Sequence, residues 1–288
     1  GLVMKTRETF FHRVLSMLLT VAMVVTLFTV AAPTEAQAAG LSFKGKGTSA
    51  VTITDDQCYD MIGGSYTTNY IKYKPSVTGT VTLKFQNASA YYSDSYGDVT
   101  FCDKNKKIIG QSNEQWNNGY KNSIYYTSTY GVKKNQTYYF AVRCSNGTKI
   151  TATTKAIKDS SASKKSKAKN LSKGKKTTGV ITAGDSKADW YKIKLTKTAK
   201  LKLRYEAQTN GSNNANGFKI TFYDKNGKMW TSNSYSYITR FDPKDGWDIY
   251  MKSNYGSKHS IATGTYYVKV ERMSKASSGS YTLKWSTY

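Results

Sequence analysis

The chain has 288 residues and a formal net charge of +25, and 24 of its residues are tyrosines. Its histidines are His12 and His259, and His12 falls in a segment that we expect to be removed. With one histidine left, the composition excludes a histidine-based catalytic triad, a histidine-rich metal site and a metalloprotease helix.

Residues 4–38 have the order of regions that a secretory signal peptide has. Basic residues come first, an almost wholly apolar run of 17 residues (14–30) follows, and Ala36-Gln37-Ala38 supplies a cleavage site. A transmembrane helix needs about 20 apolar residues, so this shorter run favours a helical signal peptide cut after Ala38. We therefore expect a secreted protein with a mature net charge of +24 and no integral membrane span after cleavage.

An internal repeat organises the rest of the chain. Three segments return in the same order, 120 to 128 residues further on. A period this long indicates a duplicated domain, because solenoid repeats are usually ~20–50 residues long. The matching segments are 70–74 with 190–194, 99–107 with 220–228, and 137–142 with 265–270.

A Lys- and Ser-rich segment, 158–176, separates the two copies. Its like charges repel one another and it has almost no apolar side chains to bury, so we expect a flexible, extended linker. The first domain then spans 41–157 and the second 177–288, and each is long enough to close one hydrophobic core.

Within each copy the apolar residues alternate with polar ones, which is typical of half-buried antiparallel strands. Turn signals such as Asn226-Gly227 separate the strands. Several short strands with one apolar face each predict an all-β sandwich. In the second copy the inward residues are Tyr191, Ile193, Leu195, Leu201, Leu203, Tyr205, Ile220, Phe222, Val268, Val270, Tyr281, Leu283 and Trp285.

All three cysteines, Cys58, Cys102 and Cys144, lie in the first copy. Export permits one disulfide and leaves one thiol over. Strand parity points Cys144 inward and Cys102 outward, and the choice of pair stays open.

Six segments of the second copy share their order with a known family: 179–181, 184–191, 201–203, 222–227, 264–270 and 279–283. With these segments, the second copy resembles the bacterial pre-peptidase C-terminal domain over nearly all of 177–288. The first copy matches more weakly, because its Gly-Asp motif is missing and Lys106 stands in place of Gly227. The resemblance implies jelly-roll-like sandwiches that accompany secreted proteases and other exported enzymes, and it includes modules that bind collagen, carbohydrate or calcium.

Strand parity also places eight cations of the second domain on outward faces, opposed mainly by Glu206 and Glu271. Such a field attracts polyanions, and lysine suits diffuse attraction better than planar recognition. The alternative is a solubilising surface that prevents edge pairing of strands. The predicted polyanion-binding residues are Lys192, Lys194, Lys200, Lys202, Arg204, Lys219, Lys269 and Lys284.

Many aromatic residues fall in segments that look like long loops. Rings with polar tips serve exposed binding surfaces, whereas the alternative is packing beneath the loops as satellite clusters. The predicted ligand contacts are Trp116, Trp247, Tyr235 and Tyr237.

No catalytic pattern stands out among the acidic residues, since aspartates at turns are explained by bonds to their own backbone. Asp185 and Asp189 are the candidate ligands of a structural calcium ion. Lys187 lies between them, so the alternative is a turn capped by Asp185. We expect no enzymatic activity and no cofactor other than that calcium.

The sequence thus predicts a secreted, non-catalytic binding or adhesion protein, free or associated with the cell wall. Its partner would be an anionic or glycan polymer at the cell surface or in the extracellular matrix. One alternative is an accessory or inhibitory subunit of a secreted hydrolase, with a protease as partner. A second alternative is a calcium-stabilised module that binds a collagen-like protein.

Overall fold

A computed structural model gives the fold of the chain beyond the predicted signal peptide. The signal peptide (4–38) and His259 lie outside the described residues. Within the described part no helix is long and apolar enough to cross a membrane. The structure describes residues 41–44, 50–53, 58–62, 68–86, 96–111, 114–117, 124–144, 148–210, 217–228, 230–231, 237–238, 246–252 and 260–288.

The first sandwich consists of two sheets. Sheet A has the strand order β1-β3-β11-β5-β8, with β9 also paired to β5, and sheet B has the order β2-β4-β10-β6-β7. The strands are β1 (Leu41–Lys44), β2 (Ala50–Ile53), β3 (Cys58–Ile62), β4 (Asn69–Tyr73), β5 (Gly79–Gln86), β6 (Tyr96–Cys102), β7 (Glu114–Asn117), β8 (Ile124–Tyr126), β9 (Tyr130–Val132), β10 (Tyr138–Cys144) and β11 (Lys149–Ala156).

The second sandwich repeats this plan. Sheet C has the order β12-β14-β22-β16-β17, with β19 on β16, and sheet D has the order β13-β23-β15-β20-β18, with β21 on β15. The strands are β12 (Lys169–Asn170), β13 (Thr177–Ile181), β14 (Asp189–Leu195), β15 (Ala199–Thr209), β16 (Phe218–Asp224), β17 (Gly227–Lys228), β18 (Trp230–Thr231), β19 (Tyr237–Ile238), β20 (Trp247–Lys252), β21 (Ser260–Ile261), β22 (Gly264–Arg272) and β23 (Gly279–Thr287).

Equivalent strands pair in the same order in the two sandwiches. The series β2-β4-β10-β6 corresponds to β12-β14-β22-β16, and β3-β11-β5-β8 corresponds to β13-β23-β15-β20. The all-β prediction is confirmed, and most pairings are antiparallel as expected. Three edge pairings are parallel instead: β1 with β3, β2 with β4, and β12 with β14.

Alternation along the strands builds both cores. All thirteen residues predicted to point inward in the second sandwich are buried. In the first sandwich, Phe101 lies at the centre of an aromatic cluster, with ring centroids 4.6 Å from Tyr130, 5.1 Å from Tyr138 and 4.9 Å from Phe140. Such ring pairs stabilise a core beyond the area they bury.

The prediction that residues 158–176 form a flexible linker is wrong. This segment supplies β12 and a short 3₁₀ turn, Lys165–Lys167. The Leu171 side chain joins the second core, its amide donates to the Lys192 carbonyl at 2.9 Å, and its carbonyl accepts the Trp285 indole N–H at 2.7 Å. The lysines around it are exposed, so two buried apolar side chains, Ala168 and Leu171, together with backbone pairing hold a segment that looks disordered by composition.

The two sandwiches dock against each other at β9. Gly131 donates its amide to the Ser278 hydroxyl at 3.1 Å, and its carbonyl accepts the Ala183 amide at 2.8 Å. Ala183 belongs to the second copy by sequence, yet it is buried in the core cluster of the first. The contact is so close that a Cβ atom on Gly131 would overlap the Ile181 carbonyl oxygen.

Replacing Gly131 with Ala should therefore destabilise the docked pair by about 1–3 kcal/mol, because backbone atoms of the second sandwich must move away. Chemical unfolding monitored by tryptophan fluorescence measures the loss. Gly174→Ala is the matched control: its φ is +74° but open space surrounds it, so it should cost only ~1 kcal/mol of backbone strain. Destabilisation by Gly131→Ala of less than about 1 kcal/mol would contradict the close contact.

Candidate functional site

The eight cations predicted to bind a polyanion lie on two opposite outer faces of the second sandwich. None of them is buried. Sheet C carries Lys192, Lys194, Lys219 and Lys269, and sheet D carries Lys200, Lys202, Arg204 and Lys284. They therefore do not form one continuous surface.

On sheet D, part of the positive charge is compensated. Lys202 and Arg204 share the Asp248 carboxylate, at 3.2 and 3.3 Å. The expected counter-charge Glu206 pairs with Lys176 at 3.3 Å. Sequence reasoning missed Asp248, because only the pairing of β15 with β20 places it opposite Arg204.

On sheet C, the cations stand among aromatic rings. Strand pairing sets Trp190 opposite Lys269, Lys192 opposite Tyr267, and Tyr267 opposite Tyr223. All three rings are half-buried and point away from the core. We call Trp190, Tyr223, Tyr267, Lys165, Lys192 and Lys269 the basic aromatic face.

Close contacts hold this face together. The Trp190 and Tyr223 ring centroids are 5.4 Å apart. The Lys165 ammonium, from the 3₁₀ turn, lies 4.8 Å from the Tyr267 centroid and 5.1 Å from that of Tyr223. Lys269 lies 5.7 Å from the Trp190 centroid and also pairs with Glu271 at 2.6 Å. Cations over ring faces are attracted by the ring quadrupole, which positions both groups.

The first sandwich carries a smaller version of the same face. Tyr70 and Tyr139 occupy the positions of Trp190 and Tyr267, and their ring centroids are 6.5 Å apart. The Lys106 ammonium lies 4.4 Å from the Tyr70 centroid and 5.8 Å from that of Tyr139. Lys106 adopts a positive φ of 63°, a conformation that costs a non-glycine residue about 1–2 kcal/mol.

An arrangement of rings and ammonium groups can contact two kinds of chemical group at once. Ring faces accept the carbon-bound hydrogens of a sugar or polyol, because the face of a π-system is electronegative. The neighbouring ammonium groups attract phosphate, sulfate or carboxylate groups. The face thus suits a polymer that carries both.

The three predicted aromatic contacts that the structure describes lie on strands of three different sheets. Trp247 is 42% exposed at the start of β20. Trp116 lies in β7, where it pairs with Gly97, and Tyr237 lies in β19, where it pairs with Ile220. Tyr235 lies outside the described residues.

Asp185 and Asp189, the candidate calcium ligands, have separate local partners. Asp185 accepts the Lys187 amide at 2.9 Å, which makes it a turn cap. Asp189 is buried and accepts the Tyr281 hydroxyl at 2.6 Å. Both line a cavity of about 330 Å³ with Asp159, but no group of three or more His, Cys, Asp or Glu residues in the described part could hold a metal ion.

Burial raises the pKa of Asp189 to about 7, and the nearby charges of Asp159 and Asp185 act in the same direction. The Tyr281 hydroxyl partly offsets them by donating to the carboxylate. Tyr281 also shares a hydrogen bond of 2.8 Å with the Tyr191 hydroxyl. The carboxyl group is therefore part of a buried hydrogen-bond network.

Every carboxylate whose side chain the structure describes has a partner within the fold. Turn aspartates bond their own backbone as predicted, for example Asp103 to the Asn105 amide and Asp224 to the Asn226 amide. Asp98 pairs with Arg143, and Glu114 accepts the Tyr125 and Tyr130 hydroxyls, at 2.8 and 2.7 Å. These contacts account for the described acidic residues in structural terms.

The cysteine prediction needs one correction. Cys144 is buried as expected, but Cys102, predicted to point outward, is only 2% exposed. Its backbone forms a β-bridge with Ile108 in the following hairpin, and burial raises the pKa of its thiol to about 11. Cys102 and Cys144 are both free thiols, and nothing is described of the Cys58 side chain.

Comparison with known proteins finds no family model that matches the chain. No curated protein matches it either. The pre-peptidase C-terminal domain of collagenase from Bacillus anthracis is similar in structure, with 12% identity and a TM-score of 0.27, over 41% of this chain and 94% of that domain. Tripeptidyl peptidase 2 is similar over 81% of this chain and 23% of its own length, with 9% identity and a TM-score of 0.28. Similarity at this level does not establish a family.

Asp189 should make the stability of the fold depend on pH. The pKa is about 7 in the folded state, against 3.8 for a free aspartate carboxyl. Between these values the folded state holds a proton that the unfolded state releases. The free energy of unfolding should therefore fall as pH rises from about 4 to about 7, by at most ~1.4 kcal/mol per pH unit.

Asp189→Asn keeps an acceptor for Tyr281 and removes the titration. Urea unfolding of the wild type and of this variant between about pH 4 and pH 7 measures the free energy of unfolding of each. Subtracting one from the other removes the contribution of the other carboxylates, which both proteins share. The free energy of unfolding of the wild type minus that of the variant should fall through this range and level off above about pH 7. A constant difference at all pH values would contradict the assignment.

Proposed function

We propose that this chain is a secreted, non-catalytic binding protein made of two pre-peptidase-like β-sandwiches. It attaches to anionic or glycan polymers at the bacterial surface or in the surrounding matrix. The observation that carries the proposal is the basic aromatic face of sheet C, where three half-buried rings and three lysines occupy the outer side of one sheet.

The charge of the whole chain supports the same ligand class. A net charge of +25 gives long-range attraction to polyanions, and the rings give short-range contact that salt does not screen. Binding should therefore have a salt-dependent part and a residual part. A surface that served solubility alone would need no rings beside its lysines.

Repetition of the face in the first sandwich supports attachment to a polymer. Because the sandwiches dock through Gly131, the separation of the two faces is fixed by the fold. A polymer held by one face meets the other at a raised effective concentration, which increases the apparent affinity.

The proposal is tested by charge reversal on the basic aromatic face. Lys165→Glu with Lys192→Glu should weaken retention on heparin–agarose and on purified teichoic acid about tenfold, because two attractive ammonium groups of this face are replaced by repulsive carboxylates. Trp190→Ala should weaken the part of binding that persists at moderate salt. Retention of each variant is measured across a salt series, with circular dichroism as the check on folding.

Lys173→Glu with Lys175→Glu is the matched control. Both lysines are exposed in the turn between β12 and β13, and the two substitutions change the net charge by the same amount. Lys200→Glu with Lys284→Glu places that change on sheet D. Equal losses in all three double variants would mean that net charge alone binds the polymer, and the proposal would be wrong.

A further inference from the structure

A cleft opens where the two sandwiches dock, away from the sheet faces. Its volume is about 560 Å³, within the range of pockets that hold small molecules. The hairpin after β6 forms one wall, and the segments that follow β13 and β22 form the other. The residues that matter for its chemistry are Lys104, Lys107, Ile108, Ile109, Arg272 and Lys275.

The walls of the cleft are held in place by the docking contact. Ile109 packs against the first core and lies close to Gly184, whose own position follows from the bond between Ala183 and Gly131. The Ile109 amide also donates to the Phe101 carbonyl at 2.9 Å. The cleft is therefore formed before any ligand arrives, which lowers the entropic cost of binding.

Four cations line this cleft against one carboxylate. Lys104, Lys107 and Lys275 are exposed and Arg272 is half-buried, with its guanidinium oriented by a bond of 3.1 Å to the Lys275 carbonyl. None of the four forms an ion pair with another described residue. The carboxylate is Asp103, which accepts the amides of Asn105 and Lys107 at 2.8 and 3.0 Å and so caps its own turn.

An apolar surface accompanies the charge. Ile108 is 53% exposed, the largest value among the large aliphatic side chains of the described residues. An isoleucine beside four cations would be covered by the carbon-rich part of a ligand whose anionic groups meet the lysines.

We propose that the cleft between the sandwiches binds a ligand with two or more phosphate or sulfate groups joined by a carbon-rich segment. This inference rests on the proposed attachment to anionic polymers and assigns one repeat of the polymer to this cleft. The basic aromatic face would then hold neighbouring repeats of the same polymer.

Isothermal titration of the mature protein with hexanediol bisphosphate tests the inference, because this probe has two phosphates and a methylene chain. Lys104→Glu, Lys107→Glu and Lys275→Glu together should raise its Kd about tenfold or more. The matched control is Lys173→Glu, Lys175→Glu and Lys197→Glu, at exposed lysines outside the cleft, and it should change the Kd by less than about twofold. Circular dichroism and the unfolding temperature verify the fold of each variant.

Ile108→Ser separates the apolar contribution from the charge. It should weaken binding of hexanediol bisphosphate and leave inorganic tripolyphosphate, which has no carbon, unchanged. Equal weakening by the cleft variant and its control, or no binding of the bisphosphate by the wild type, would overturn the cleft inference.

Heparin retention distinguishes failure of the cleft inference from failure of the proposed function. If the bisphosphate fails to bind in the cleft while heparin retention still depends on Lys165 and Lys192, the cleft inference fails and the proposed function stands. If heparin retention is also independent of those lysines, both fail.

Discussion

Alternation of apolar and charged side chains along the strands is the constraint on which the structure depends. A side-chain period of two sends one set of residues into the core and leaves the other at the surface. A shift of one residue in any pairing would bury lysines such as Lys192 without partners, at a cost of several kcal/mol each. The same charges that make the surface cationic therefore also fix the register of the sheets.

The docking of the sandwiches is the second organising contact, and it changes the meaning of the basic segment between them. Residues 158–176 are not a spacer, because β12 completes sheet C and Leu171 fills part of the second core. Lys165 from this segment lies over the rings of Tyr223 and Tyr267. The segment thus contributes both to the fold and to the basic aromatic face.

Much of the fold could be predicted from sequence because its signals are local. Strand alternation identifies the buried residues of the second sandwich, and the Asp224–Gly227 turn appears where the motif places it. The ordered structure of residues 158–176 could not be predicted. Composition reveals the many lysines of this segment but not the carbonyl groups of β14 with which its backbone forms hydrogen bonds. The burial of Cys102 was also missed, because alternation along the strand assigns it to the outward face, yet it is only 2% exposed.

The candidate site was predictable only in part. Parity places Lys192 and Lys269 at the surface, but the sequence does not show that β12, β14, β16 and β22 form one sheet and that β13, β15 and β23 belong to another. The important rings also differ from the predicted ones. Trp190 and Tyr267 occupy outward positions on strands, whereas the predicted contacts were taken from loop-like segments. Aromatic residues at outward strand positions are the sequence signal that identifies them.

The central claim is that the polymer binds to the basic aromatic face, and the indole N–H signals of the tryptophans test it directly. In a proton–nitrogen spectrum titrated with a heparin oligosaccharide, the Trp190 signal should shift and saturate. The Trp285 signal should stay in place, because its N–H is buried and bonded to Leu171. A bound oligosaccharide that leaves the Trp190 signal unmoved would contradict the account.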